Sequence, residues 1–151
     1  MRRITISVDD DLADTFDRLV TKNGYENRSE AFRDLLREAL EQERLEDGGN
    51  KHCVGALSYV YNHHERQLAS RLAQMQHDHH DLAVSTMHAH LDHDNCIETV
   101  ILRGPTAAVM AFARSVMAET GVRHGRFHPV SVNAETTYKR HHGHVHLHPH
   151  V

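Results

Sequence analysis

The chain has 151 residues, a formal charge of −4, two cysteines and no tryptophan, and 39% of it is hydrophobic. That length and apolar content suit one domain or two small ones, and two thiols are too few for a disulfide scaffold. No apolar run is long enough to cross a bilayer and the opening residues lack a signal-peptide core, so a cytoplasmic, reducing setting is expected, with no membrane partner.

The charge is uneven along the chain. Residues 1–46 hold eight Arg or Lys against twelve Asp or Glu, the remainder holds nine of each sign, and all 17 histidines follow position 51. An acidic balance does not advertise a nucleic-acid partner, so any DNA binding must rest on where a few cations are placed.

The opening residues alternate. Ile4, Ile6 and Val8 point one way and Arg3, Thr5 and Ser7 the other, which predicts a half-buried strand. A helix follows over "DDDLADTFDRLVTKNG", with an acidic start, an apolar stripe of Leu12, Phe16, Leu19 and Val20, and Gly24 at its end. A second helix runs through "NRSEAFRDLLREALEQERLE", capped by Asn27 or Ser29, with Phe32, Leu35, Leu36, Ala39 and Leu40 as its apolar face. One strand and two short helices cannot bury these faces alone, so pairing with a second copy is expected. The strands of two copies would make a ribbon that fits a major groove, presenting Arg3, Thr5 and Ser7 to base edges.

Residues 47–51 read as a linker. Beyond it the predicted order is β-α-β-β-α-β: strands in "CVGALSYVYN", "DLAVSTMHAHL", "CIETVILR" and "VRHGRFHPVSV", and helices in "HHERQLASRLAQMQ" and "PTAAVMAFARSVMAET". That order is a ferredoxin-like (ACT-like) sandwich over residues 52–133, so the whole chain reads as α+β. The tail, residues 134–151, ends in "YKRHHGHVHLHPHV" and predicts disorder, because six histidines offer little with which to build a core.

The stretch "MHAHLDHDNC" carries the chemistry. His88 and His90 leave one face of a strand, and Cys96 follows where the next strand begins. Two imidazoles and a thiolate make most of a transition-metal site, and His77 in "MQHDHHD" is the candidate fourth ligand, supplied by a symmetric partner. From these residue types alone zinc is the expected metal. Tyr61 and Glu98 sit where they could orient the ligands. Cys53 reads as a packed thiol, and His63, His64, His79, His80, His93, His124 and His128 as surface or secondary metal positions.

"GYENRSEAFRDLLREAL" resembles the ribbon-helix-helix repressors. Together with "LSYVYNHHERQLASRL", "QHDHHDLAVSTMHAHLDHDNCIE" and "GVRHG", in this order, it resembles the nickel-responsive regulator family (NikR) from residue 2 to about 126. The resemblance implies a homotetramer, a dimer of dimers, on a palindromic double-stranded operator. It implies one Ni(II) per chain in a planar site of His88, His90 and Cys96 from one subunit and His77 from another, in place of zinc. Arg28, Ser29 and Arg66 would then meet DNA phosphates. A second cation, potassium, would lie between the domains on Glu30 and Asp34. The implied function is nickel-dependent transcriptional regulation, with repression of nickel uptake. Two departures stand out: Asp78 interrupts the family's histidine run, and Glu65 stands where relatives carry a basic residue.

The rival reading is a metal-buffering or metal-delivery protein, favoured by the histidine tail. A further rival is an antitoxin-like repressor without a metal, which leaves the His77, His88, His90 and Cys96 set unexplained. An enzyme is not expected, since no nucleophile motif or phosphate loop is present.

Overall fold

The computed structural model describes residues 3–46, 52–139 and 142–150, so the predicted linker at 47–51 lies outside the described residues. The chain divides into two compact units, Met1–Leu40 and Glu41–Val151.

In the first unit, α1 (Asp10–Lys22) starts at Asp9, whose carboxylate accepts the Leu12 amide at 2.9 Å. Asp10 and Asp11 lie in its first turn and Lys22 in its last, as the helix dipole favours. Gly24, at φ +72°, reverses the chain beyond the helix, a conformation that side chains rarely adopt. Asn27 accepts the Glu30 amide at 2.9 Å and so caps α2 (Arg28–Glu46), which resolves the choice between Asn27 and Ser29. Residues 3–9 form no ladder within one chain. Ala31 is the one buried residue of α2 and α1 has none, while Ile4, Ile6, Val8, Leu12, Phe32, Leu35, Leu36 and Leu40 all remain exposed.

The second unit is an antiparallel sheet with helices packed against its buried face. Its strands are β1 (His52–Asn62), β2 (Ala83–His90), β3 (Asn95–Pro105), β4 (Arg123–Lys139) and β5 (His142–Pro149), in the order β2-β3-β1-β4-β5. The helices are α3 (Arg66–Asp78) and α4 (Thr106–Met117). The first four strands with α3 and α4 are the predicted β-α-β-β-α-β arrangement. Burial alternates along β1, with Cys53, Leu57, Tyr59 and Tyr61 inward. Leu68 and Leu72 of α3 and Val109, Phe112 and Val116 of α4 join them in one core with Val100 and Leu102 of β3. Each fully buried leucine contributes about 1.5–3 kcal/mol of apolar burial. Gly55 has no room for a side chain: a Cβ there would meet the Phe127 ring at 2.5 Å and the His128 carbonyl oxygen at 2.8 Å.

Two expectations need correction. The helix predicted from His63 starts at Arg66, because the Asn62 side chain accepts the His64 amide at 2.9 Å and holds residues 62–65 in a turn. The tail predicted to be disordered instead continues β4 to Lys139 and returns as β5, pairing from Val132 with Pro149 to Lys139 with His142. Few means to build a core do not forbid an edge strand, which needs only a backbone ladder, and "ETTY" favours the extended chain. Positions 140, 141 and 151 lie outside the described residues.

Candidate metal centre and DNA-facing residues

The hairpin of β2 and β3 places the predicted ligands by register. His90 is directly opposite Cys96, and His88 opposite Glu98. On the other side of β3, Cys96 faces Tyr61 and Glu98 faces Tyr59. Cross-strand partners share a face, so His88, His90, Cys96, Glu98, Tyr59 and Tyr61 all lie on the helix-covered side of the sheet. The rings of His88 and His90 meet edge to face, with centroids 5.1 Å apart. The hairpin turn is held by Asp92, whose carboxylate accepts the amides of Asp94 and Asn95 at 2.8 and 2.7 Å. These bonds, with that of the Asn95 side chain, hold the Asp92 carboxyl down to about 2.

Exposure divides the set. β2 is exposed along nearly its whole length, while Cys96 is fully buried, its sulfur 3.4 Å from the Tyr61 carbonyl oxygen. Burial pushes the Cys96 thiol up, opposed by its contact with Tyr61. A metal would have to displace that proton, since the thiolate is the ligand. His77 lies in the last turn of α3 with its ring 6.4 Å from that of His80. Among the described residues of one chain, no group of three or more His, Cys, Asp or Glu converges on a metal-sized point.

Glu98 is the hub beneath these candidate ligands. Its carboxylate accepts the Tyr59 hydroxyl at 2.5 Å, the Gln76 amide at 2.7 Å and the Tyr61 hydroxyl at 3.2 Å, and it lies 3.4 Å from His88 Nδ1. Gln76 in turn accepts the Thr86 hydroxyl at 2.7 Å. Burial first, and then the Glu98 charge, push both tyrosines well above their ordinary range, so both stay protonated donors. Tyr61 and Glu98 are singled out by the sequence, whereas Tyr59, Gln76 and Thr86 enter only with the structure. Tyr59 was open to discovery, two residues before Tyr61 on the same strand face. Gln76 and Thr86 carried no such signal.

Nearby, His63 Nδ1 is buried without a hydrogen-bond partner, and its ring lies 4.9 Å from that of His90. Desolvation, with His64 and His90 adding to it, lowers its pKa and favours the neutral ring. Cys53 is fully buried in the core, as a packed thiol.

The DNA-facing candidates differ in their surroundings. Arg3, Thr5 and Ser7 are exposed on the segment before α1. Arg28 and Ser29 open α2, and the Arg28 guanidinium grips the Asp17 carboxylate with two nitrogens, one at 2.6 Å. That pairing lowers the Asp17 pKa, so a phosphate at Arg28 must share the guanidinium with a carboxylate. Glu30 and Asp34 lie one turn apart on α2, and Asp34 pairs with Arg37 at 3.1 Å. Arg66 begins α3 and, with Gln67, Ser70 and Arg71, lines an open hollow of about 460 Å³. Arg71 is paired with Glu119 at 2.7 Å.

Residues 54–130 match the NikR C-terminal nickel-binding domain, and residues 2–43 match ribbon-helix-helix proteins of the CopG family. A putative nickel-responsive regulator of Brucella ovis is 52% identical over 125 residues, which cover 83% of this chain and 95% of that protein. The chain belongs to the nickel-responsive regulator family. Proteins of Brucella abortus biovar 1 and Brucella suis biovar 1, both named nickel-responsive regulator, match this chain with the same identity and coverage. These relatives are named as nickel-responsive regulators, and this chain matches both family models, the ribbon-helix-helix one and that of the nickel-binding domain. An uncharacterised protein of Thermotoga maritima is similar at a TM-score of 0.47 and 14% identity, over 52% of this chain and 98% of its own. Among the described residues no helix is long and apolar enough to cross a membrane.

Proposed function

We propose that this chain is a cytoplasmic, nickel-switched repressor of nickel uptake. In this reading a homotetramer binds a palindromic operator when one Ni(II) per chain is held by His88, His90 and Cys96 together with His77 of a second copy. The observation that carries the reading is the register of the hairpin, which sets His90 against Cys96 and His88 beside them on one face. The donor set fits the ion, since imidazoles and a thiolate suit Ni(II) or Cu(II) when planar. When bound, the metal supplies coordinate bonds that join side chains of two chains.

The chain's own residues do the rest. Glu98 accepts from His88 Nδ1 and so fixes the tautomer that leaves Nε2 for the metal. Gln76 ties the last turn of α3, beside His77, to that same carboxylate. Ordering of α3 at its C-terminal end is then felt at its start, where Arg66 faces the phosphate backbone. Arg3, Thr5 and Ser7 read base edges from a two-copy ribbon, with Arg28 and Ser29 on phosphates. Glu30 and Asp34 take potassium in the DNA-competent arrangement. Linkage requires nickel to favour that arrangement, and DNA then tightens nickel by the same factor.

The test uses fragmented host DNA with one equivalent of Ni(II) per chain or with a chelator, and sequences what is retained. Recovery of a palindromic site with nickel alone is expected, lying beside uptake genes. Equal recovery in both conditions would overturn the switch, and tight nickel binding with no recovered site would favour the buffering protein.

A further inference from the structure

The histidines of β5 are not part of the hairpin, and they are regularly placed. His146 and His148 lie two positions apart on β5, which pairs with β4 along its whole length. Alternate residues of a strand leave the same face, about 6.7 Å apart. The rings of His146 and His148, both exposed, are stacked with centroids 6.0 Å apart and planes 25° from parallel.

That separation decides what the pair can do. An imidazole nitrogen binds a transition ion at about 2 Å, so two rings sharing one ion have centroids no more than roughly 6.4 Å apart. The 6.0 Å pair is already inside this limit, and rotation about the side-chain bonds brings its nitrogens together. The same His-x-His spacing occurs on β2, where His88 and His90 have centroids 5.1 Å apart. On β2 the strand opposite supplies a buried thiol, whereas β5 is the last strand of the sheet, with β4 on one side.

We propose that β5 carries a second metal site, in which the imidazoles of His146 and His148 hold one divalent first-row transition ion. Nitrogen donors of this kind suit Ni(II), Cu(II) and Zn(II). No group of three or more ligands converges among the described residues, so water completes the coordination. The ion therefore exchanges faster and binds more weakly than one held by four protein ligands. The site needs neither Cys96 nor a second copy, and it stands apart from the nickel switch.

Equilibrium dialysis of the full-length chain against Ni(II) tests this, beside the His146→Gln/His148→Gln double variant and Cys96→Ala. The double variant is expected to bind one ion fewer per chain while keeping its circular dichroism spectrum and its thiolate-to-nickel absorption. Cys96→Ala is expected to lose that absorption and keep the ion on β5. Equal metal content in the double variant and the unaltered chain would overturn the proposal. Zn(II), followed by imidazole NMR, gives an independent reading. Joint shifts of His146 and His148 support the site, and shifts confined to other histidines overturn it.

Discussion

Cys96 and Glu98 occupy alternate positions of β3 on the same buried face, yet their chemistry diverges. Cys96 is pressed against a carbonyl with its proton retained, while Glu98 gathers two hydroxyls and an amide around its carboxylate. Replacing Cys96 with Ala should abolish thiolate-to-nickel absorption and nickel-dependent operator binding while the assembled fold persists; an unchanged nickel response would refute its assignment as a ligand. Glu98→Gln keeps the volume and removes the charge beside His88, so in the proposed reading nickel affinity is expected to fall by roughly 10–100-fold. Competition against a chelator of known affinity measures this, and an unaltered affinity would make the Glu98 cluster purely structural. Arg3→Ala should weaken operator binding by about 1–3 kcal/mol and relax preference at one base position, as read by DNA retardation on operator variants. The placing of His88, His90 and Cys96 at one hairpin was legible, because strand spacing puts His88 and His90 on one face and Cys96 opens the next strand. Gln76 was not, because an amide acquires its role only from what it touches.

Among the elements, α3 is the one whose position matters most to both ends of the proposed switch. It is anchored by Leu68 and Leu72 in the core and by Gln76 on Glu98. Leu72→Ala should cost about 2–5 kcal/mol through lost burial and a cavity, measured as a lower urea midpoint at constant slope. Whereas the alternating residues 3–8 form no strand within one chain, the strands of the second unit and the amphipathic helices were legible from periodicity. The start of α3 was not, because the Asn62 turn removes three residues from a helical pattern that would tolerate them. β5 escaped for a different reason. A strand of alternating histidines pairs through its backbone, and hydropathy does not register backbone hydrogen bonds. Hydrogen exchange checks this: amides of 142–149 that bond to β4 should exchange more slowly than their neighbours in the same strand.

At the level of the assembled protein, the first unit cannot account for its own apolar residues. Phe32, Leu35, Leu36 and Leu40 line α2 exposed, alongside Ile4, Ile6 and Val8. A charge on that face, as in Leu36→Glu, should therefore break the assembly in sedimentation and abolish operator binding with nickel present. Assembly that survives the change would place the copy-to-copy contact elsewhere. The caps of α1 and α2, the β-α-β-β-α-β order and the hairpin that carries His88, His90 and Cys96 were all set by local pattern, since strand and helix periods and turn chemistry act over a few residues. The Glu98 cluster, the orphaned His63 nitrogen, the Arg28–Asp17 pair and the return of the tail as β5 were decided only by the tertiary structure. Each depends on groups that are far apart in the chain or on backbone partners, and no local pattern records which of them will meet.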